Sequence, residues 1–413
     1  MVLRNWAGNI EFSAGELVSC ASVEELQEVV AAAERVRVLG SGHSFNRIAD
    51  TTGTFLSVAG LPPVIDVDTD ARQVTVSAGL RYGEVTTRLH ASGLALHNLG
   101  SLPHISIAGA CSTGTHGSGD ANGTLASAVA AIDLVRADGS LTRVRRGEPD
   151  FPGSVLALGG MGVIVGLTLD AVPAFDVRQF VYEGVPLERL GTDFEEIWPS
   201  AYSVSAFTDW QKPAQIWRKA LADQEPLEPG WLGSTPADGP RHPVPGMPAT
   251  YSTEQLGVPG PWFERLPHFQ LRFTPSTGEE LQSEYFVPRA MAPAAFEALT
   301  RLGSQMAGLL QISEVRTIAA EDLWLSPSQG RDTVALHFTW VREPVAVQKV
   351  VEQIEAALES FDARPHWGKV FATDSPRALY EHAGDFAELL ERSDPNGKFR
   401  NDFLDRYWPR DPR

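Results

Sequence analysis

The sequence predicts an α+β fold, and three local patterns support this prediction. Ser22 and Glu25 form a capping box ahead of apolar residues at helical spacing, so a helix is expected there. Apolar residues alternate along 64–68 and 74–77, which predicts two strands. Asp138-Gly139 lies between two further apolar segments and predicts a type I′ hairpin, which joins antiparallel strands.

Further elements are expected in order along the chain. A short apolar strand is predicted at Val36–Leu39, and a second helix from about Gly83 to Ser92, with Gly93 ending it. The segment from Asp223 to Pro248 holds seven prolines and predicts a long structured loop, because strand patterns resume on both sides. Helical character returns around Ser375 to Leu390.

Composition narrows the class of protein. The chain of 413 residues is 43% hydrophobic and 21% charged, which is ordinary for a globular protein of two or three domains. Its net charge of −18 argues against nucleic acid, anionic membranes and polyanionic substrates, so a small neutral substrate is expected. The two cysteines, Cys20 and Cys111, predict no disulfide framework, and Cys111 is expected to be a small buried residue.

No targeting signal is evident in the sequence. Residues 1–8 lack the apolar core of a signal peptide, and no apolar segment approaches membrane-spanning length. We therefore expect a cytoplasmic protein without a membrane partner, and a monomer.

Two glycine-rich loops carry the strongest functional signal. Gly40-Ser41-Gly42 directly follows the predicted strand, and its bare backbone N–H groups can approach a pyrophosphate closely. His43 stands at the exit of this turn. A second loop, from Ser101 to Gly119, is rich in glycine, serine and threonine. Two such loops predict a dinucleotide, and the place of His43 favours a flavin.

A nicotinamide dinucleotide is the alternative, and the glycine spacing argues against it. The Rossmann fingerprint needs glycine at its first, third and sixth positions at the start of a helix. Here Gly40 and Gly42 are followed by Phe45 at the sixth position, and no helical pattern begins there.

The paired loops, RVLGSGHSFN and SLPHISIAGACSTGTHGSG, resemble the FAD-binding domain of the vanillyl-alcohol oxidase superfamily, and more closely that of the alditol (xylitol, sorbitol) oxidases. The similarity continues through YSVSAFTDW, HPVPGMPA, LQSEYF, EVRT, GRDTVALHFTW and RPHWGKVF, so it covers nearly the whole chain. It implies a two-subdomain FAD-binding domain over residues 1–173 and a substrate domain over 174–368, built from an antiparallel sheet flanked by helices. Residues 369–413 would return to the FAD domain.

The resemblance implies an FAD-dependent oxidase acting on alditols. Such an enzyme converts the terminal primary alcohol of xylitol or sorbitol to an aldose, with hydride transfer to flavin N5 and reduction of oxygen to hydrogen peroxide. In that family the histidine matching His43 carries FAD covalently. The alternatives are an aldonolactone oxidase or dehydrogenase of the same superfamily and, in a different class, a sugar-binding protein with a purely structural flavin.

The resemblance also implies the site residues. Polyol contacts are expected from Ser101, Glu314, Arg316 and Thr339. Lys369, His337, Arg316 and Glu314 are the expected catalytic residues, with His337 or Lys369 taking the alcohol proton. FAD contacts are expected from Gly40, Ser41, Gly42, His43, Ser44, Ser101, Ser106, Gly109, Thr113, Thr115, His116, Gly117, Ile164 and Lys369.

Alternation along two strands gives independent support for a polar pocket. Glu314 and Arg316 stand two apart, and His337 and Thr339 repeat that spacing, so each pair shares one strand face. Burying such groups unpaired costs on the order of a few kcal/mol each. For either strand alone, the alternation of polar residues is explained by a strand face that points to solvent. The resemblance favours a pocket formed by the two strands together. Gln282 and Glu284 extend its wall or face solvent.

Several other residues have narrower expectations. His97, His104 and His116 lack the spacing of a zinc site, so no metal is expected. The sequence has no Gly-x-Ser-x-Gly motif, so a hydrolase has no support. His366 and Trp367 are expected to position Lys369. Gly100 is expected to keep the route of oxygen to the flavin open; the alternative is that it only permits the turn, with a positive φ.

Overall fold

The computed structural model describes residues 2–273 and 278–410, and the elements below belong to those ranges. Its strands are β1 (Val18–Ser19), β2 (Val36–Leu39), β3 (Thr54–Ser57), β4 (Ile65–Asp68), β5 (Gln73–Ser77), β6 (Leu94–Ala95), β7 (Val129–Val135), β8 (Leu141–Arg145), β9 (Val163–Asp170), β10 (Val172–Pro173), β11 (Asp176–Val185), β12 (Ser203–Thr208), β13 (Ala214–Leu221), β14 (Thr235–Pro236), β15 (Gly260–Pro261), β16 (Glu280–Pro288), β17 (Leu310–Ile318), β18 (Thr333–Val341) and β19 (Arg364–Pro365).

Eleven α-helices are present in the described part of the chain. They are α1 (Val23–Ala32), α2 (Tyr82–Ala91), α3 (Ile107–Thr113), α4 (Phe151–Val155), α5 (Arg189–Thr192), α6 (Phe194–Ile197), α7 (Trp262–Arg265), α8 (Ala292–Met306), α9 (Pro344–Leu358), α10 (Ala383–Ser393) and α11 (Asp402–Tyr407). None of the helices in these ranges has the length and apolarity needed to cross a membrane.

The first half of the chain contains three sheets, the smallest of which pairs the two-residue strands β6 and β10. A parallel sheet has the order β1-β3-β2, and an antiparallel sheet has the order β4-β5-β9-β7-β8. The C-terminal helices α10 and α11 contribute Phe386, Leu389 and Leu404 to the same apolar core as these sheets. Arg37, on β2, is buried and donates to the carbonyl of Phe399, which ties the C-terminal segment to this half.

The second half is built on one large sheet, in which β14-β11-β13-β12-β17-β18-β16-β19 are neighbours. Helices α8 and α9 pack on one face of it, where residues such as Leu299 and Val351 are fully buried. The opposite face of β16, β17 and β18 points towards the first half of the molecule. These layers confirm the predicted α+β fold, whereas the domain borders at 173 and 368 stay predictions.

Most of the elements predicted from local sequence patterns are observed in the structure. Ser22 caps α1 by accepting from the backbone of Glu25, and Glu25 accepts in turn from the backbone of Ala21. Helix α2 ends before Gly93, whose φ is +77°. The segment 223–248 is a loop with one short 3-10 turn and the two-residue strand β14, as predicted. The helix expected around Ser375 is in fact a 3-10 turn, Pro376–Leu379, followed by α10.

The hairpin between β7 and β8 forms as predicted, but the predicted turn type, I′, was wrong. A type I′ turn needs positive φ at both central residues. Gly139 has a φ of +83°, whereas Asp138 is absent from the residues with positive φ. The backbone of Gly139 donates to Arg136, and that of Arg136 donates to Ser140. This is the pattern of a type I turn followed by a left-handed glycine, which closes a longer hairpin loop.

Candidate active site

A cavity of 580 Å³ lies between the two halves of the molecule. One side, here called the loop wall, is formed by the two glycine-rich loops. The other, here called the sheet wall, is the inward face of β16, β17 and β18 together with Lys369. The predicted residues that line the cavity are Gly40, Ser41, Gly42, His43, Ser44, Gly100, Ser101, Ser106, Gly109, Thr113, Thr115, His116, Ile164, Glu314, Arg316, His337, Thr339 and Lys369.

Gly117 is the predicted cofactor contact that lies outside this lining. Its carbonyl is 2.7 Å from Nδ1 of His116, and a Cβ at Gly117 would lie only 2.4 Å from the side chain of Asn98. The structure therefore gives Gly117 a packing role beside His116. A contact with the cofactor remains a prediction for this residue.

The two loops are bonded to each other at the loop wall. The backbone of Ser41 donates to Oγ of Ser106 over 3.2 Å, and the backbone of Ser106 donates to Oγ of Ser41 over 3.2 Å. A Cβ at Gly40 would lie 2.5 Å from the same Ser106 hydroxyl. A side chain at position 40 would therefore displace the Ser106 hydroxyl that joins the two loops. With glycine at this position, the two loops form a narrow cradle lined by backbone N–H groups and hydroxyls, which suits a pyrophosphate.

His43 lies in this cradle with unused bonding capacity. Its Nδ1 is 3.1 Å from the carbonyl of Ser41, while its Nε2 is buried and has no hydrogen-bond partner among the described residues. The ring stacks on Trp6, with centroids 4.7 Å apart. Burial lowers the pKa of His43 to about 4, so the ring is neutral at pH 7. A neutral imidazole with a free ring nitrogen fits covalent attachment to a cofactor.

The first of two charged clusters on the sheet wall is centred on Glu314. Arg316 donates to both carboxylate oxygens of Glu314 and to Oγ of Ser101, so it connects the sheet wall to the loop wall. Nε2 of His268 is 2.7 Å from Oε1 of Glu314, the oxygen that also accepts from Nε of Arg316. Burial alone would raise the pKa of Glu314, but the adjacent Arg316 guanidinium holds it well below its usual range. Glu314 is therefore ionised.

The second cluster is centred on Glu284. Nζ of Lys369 lies 2.8 Å from Oε2 of Glu284 and 2.7 Å from Nδ1 of His337. Nε2 of His116 is 3.3 Å from Oε1 of Glu284, and Nε2 of His337 is 3.1 Å from Oγ1 of Thr339. Burial opposes ionisation of Glu284, yet the Lys369 charge holds its pKa well below the usual range.

Strand register explains why these clusters form. His337 pairs with Glu284 on one side and with Glu314 on the other, so the three lie in one row across β16, β18 and β17. The side chains of one row share a sheet face. Glu284 is 1% exposed and Glu314 4%, so a solvent-facing strand is excluded for both. Gln282 also lines the cavity.

The remaining predicted residues occupy structural positions. Nδ1 of His366 accepts from the backbone of Gly368, and its carbonyl accepts from the backbone of Lys369, so it shapes the turn that carries Lys369. Trp367 is fully buried and donates to the carbonyl of Leu325. Cys111 is buried as predicted, and burial raises its pKa to about 12. In the described ranges no group of three His, Cys, Asp or Glu side chains could hold a metal.

Three residues of this site were not predicted from the sequence. His268 lines the cavity beside Glu314, Lys219 contacts His268 from outside the cavity, and Trp6 stacks on His43. All three are far in sequence from the residues they contact. His268 and Lys219 carried one signal, since a histidine and a lysine in otherwise apolar segments need buried partners.

Comparisons with known proteins agree with this architecture. Residues 15–145 match the family model described as FAD binding domain, and residues 276–407 match D-arabinono-1,4-lactone oxidase. The chain is 52% identical over 407 residues to an alditol oxidase of Streptomyces sp., with 97% of each chain covered. It is 30% identical over 437 residues to an L-gulono-1,4-lactone dehydrogenase of Mycobacterium tuberculosis, covering 97% of this chain and 98% of the relative.

Among solved structures, cholesterol oxidase from B. sterolicum has a TM-score of 0.79 and covers 99% of this chain and 96% of its own. Because its sequence identity is 16%, this likeness concerns the fold alone. The 52% identity extends along nearly the whole chain and includes the two loops of the FAD binding domain. The chain therefore belongs to the alditol oxidase family, within the vanillyl-alcohol oxidase superfamily of FAD-binding proteins.

Proposed function

We propose that this protein oxidises the terminal primary alcohol of an alditol such as xylitol or sorbitol to the aldose. The observation that carries the proposal is the sheet wall, where two buried ion-paired clusters face a cradle suited to FAD. The cradle of Ser41, His43 and Ser106 would hold FAD, which would supply the hydride acceptor and the route of two electrons to oxygen; with two protons these give hydrogen peroxide. The protein must orient the alcohol and remove its proton.

Ser101, Arg316, Glu314 and Thr339 are the proposed anchors of the polyol. The hydroxyl of Ser101 accepts from Arg316, which leaves the Ser101 proton free for a substrate oxygen. The ionised Glu314 is an acceptor for a substrate hydroxyl, and Arg316 offers a fork of donors. A neutral substrate with many hydroxyls matches this mixture of donors and acceptors.

Lys369 is the proposed base, in preference to His337. Both ring nitrogens of His337 are engaged, Nδ1 with Lys369 and Nε2 with Thr339. Burial lowers the pKa of Lys369, opposed by Glu284, so the amine form becomes accessible. That amine donates its two N–H groups to Glu284 and His337, and its lone pair is left for the alcohol proton. His337 is then a positioning residue.

We further propose that FAD is attached covalently at His43. The support is the buried Nε2 without a partner, the neutral ring and the stacking on Trp6. A cytoplasmic location and a monomeric state are proposals that rest on the sequence.

A substrate panel with peroxide detection tests the proposed activity. Xylitol and sorbitol should give strong peroxide production, and a 1,4-aldonolactone should give little. Turnover of the lactone in preference to both alditols would overturn the proposal in favour of the lactone oxidase that residues 276–407 resemble. Oxidation of xylitol that needs an artificial electron acceptor and produces no peroxide would identify a dehydrogenase instead. Flavin without any turnover would identify a binding protein.

A further inference from the structure

We infer that Lys219 is a positioning residue for polyol oxidation: it fixes the proton of His268 on Nε2, so that His268 donates to Glu314 and holds the Glu314–Arg316 pair in place. The inference rests on the proposed function for the identity of the substrate. Its structural part, the protonation of His268, is testable without substrate.

Lys219 is a buried lysine outside the cavity lining. It lies on β13, is 1% exposed and contacts the segment that follows α7. Its Nζ donates to the carbonyl of Leu266, to the carbonyl of Pro267 at 3.0 Å, and to Nδ1 of His268 at 3.2 Å. These three acceptors match the three donors of an ammonium group, while burial, opposed by the nearby Glu314 charge, lowers the pKa of Lys219 well below its usual value. Burying a lysine costs free energy unless its donors are bonded. The three bonds of Lys219 meet this cost, and they also connect it to His268.

The bonds around His268 determine which ring nitrogen carries the proton. In a neutral ring one nitrogen accepts, and here it is Nδ1, because the ionised Glu314 beside Nε2 can only accept a hydrogen bond. Burial, and next the Lys219 charge, lower the pKa of His268 to about 4, so the ring is neutral and its proton is on Nε2. Glu314, 2.7 Å away, is ionised and accepts that proton. Nη2 of Arg316 also lies near Nε2, at 3.4 Å, and the shorter 2.7 Å contact to the Glu314 carboxylate favours the proton on Nε2.

The consequence reaches the polyol site through Glu314. Arg316 binds both oxygens of the Glu314 carboxylate, and His268 binds Oε1 as well, so two residues hold the carboxylate in place. The groups with charge or titratable protons that face His268 are Lys219 from β13, and Glu314 and Arg316 from β17. The remaining neighbours of the ring are Phe207 and Trp217, which are apolar and hold it edge-on. Lys219 is not among the residues that line the cavity, so it reaches the polyol site through His268 and the backbone just before it.

The first test observes His268 directly by nuclear magnetic resonance of histidine labelled with ¹⁵N in the FAD-loaded protein, assigned by loss of its signals in His268→Gln. We expect a neutral ring protonated on Nε2 in the wild type. In Lys219→Met the ring should lose this fixed tautomer, and its pKa should rise because both the charge and the bond to Nδ1 are gone. An unchanged tautomer and titration in Lys219→Met would overturn the inference.

The second test is a double-mutant cycle on xylitol. Lys219→Met should lower kcat/KM by about tenfold with normal FAD content, and Lys212→Met, at a lysine whose side chain is 81% exposed, should match the wild type. In a His268→Gln background, the same Lys219→Met change should cost less than about twofold, because Lys219 acts through the ring. Equal losses in both backgrounds would show a general packing role and overturn the inference.

If Lys219→Met does not fold, two variants at position 268 replace it. Glutamine places its donor where Nε2 stands, whereas asparagine places its amide where Nδ1 stands. We expect His268→Gln to retain more activity than His268→Asn. Equal loss in the two variants would contradict a role for the Nε2 proton. A wild type inactive on xylitol would refute the proposed function, and the resonance test would still decide the state of His268.

Discussion

The loop wall and the sheet wall of the cavity are built by opposite means. The loop wall uses glycines, hydroxyls and backbone groups, and its one titratable contact with unused capacity, His43, is neutral. The sheet wall buries two carboxylates, a guanidinium and an ammonium in contact with one another. Removing one partner of a buried ion pair costs about 3–5 kcal/mol. Small residues and backbone groups, as in the loop wall, allow a cofactor to approach closely. Buried ion pairs, as in the sheet wall, hold donors and acceptors in fixed positions for hydroxyl groups.

The largest effect is expected from His43→Ala, which should remove the attachment of flavin to the loop wall. We expect complete loss of covalently bound flavin, because no other described residue offers a neutral ring with a free nitrogen in the cradle. Acid precipitation of the wild type should leave yellow colour in the pellet, and that of the variant should release it. His382→Ala, at a histidine in contact with the surface residue Asp385, is the matched control. Colour retained in the His43→Ala pellet would refute attachment at this position.

Arg316→Ala and Glu314→Gln should break the sheet wall and spare the loop wall. We expect kcat/KM on xylitol to fall by about 10²-fold or more in each, since an anchor for a substrate hydroxyl is lost. Flavin content should stay near that of the wild type. Arg4→Ala, at an arginine whose side chain is 56% exposed, controls for loss of charge. Near-normal kinetics in both site variants would mean that the sheet wall does not hold substrate.

Glu284→Gln should shift the pH dependence of turnover. Glu284 raises the pKa of Lys369 against the lowering effect of burial, so its removal must lower that pKa further. If the amine of Lys369 is the base, kcat/KM rises with pH through the Lys369 pKa, and this rise should move to lower pH in the variant. A steady-state pH profile of both proteins measures the shift. Movement of the rise to higher pH would exclude Lys369 as the base.

Gly100→Val should have the smallest effect, and only on the reaction with oxygen. A Cβ at Gly100 would meet Thr115, Ile105 and His116 at 3.6 to 3.8 Å, which is ordinary contact, and Gly100 is not among the glycines with positive φ. The positive φ expected in the alternative interpretation is therefore wrong, and a role for Gly100 in the turn stays a prediction. Stopped-flow measurements should show reoxidation slowed several-fold with reduction by xylitol nearly unchanged. Equal slowing of both half-reactions would contradict an oxygen route past Gly100.

The two walls also differ in how far the sequence predicts them. Ser41, His43 and Ser106 stand in segments whose composition and local order already indicate a cradle, so the loop wall was predicted from its residues. The row Glu284, His337 and Glu314 depends on the register of three strands, which no local pattern specifies. His268 and Lys219 were missed for the same reason, because each contacts the site across 46 residues or more.

Anaerobic addition of xylitol to the FAD-loaded protein is the most direct test of alditol oxidation. We expect the visible absorbance of the flavin to bleach in the wild type, and admitting air should restore it with one hydrogen peroxide formed per flavin. Arg316→Ala should retain the flavin colour and bleach far more slowly. A wild-type flavin that xylitol and sorbitol leave oxidised, while an aldonolactone bleaches it, would contradict oxidation of alditols by this protein.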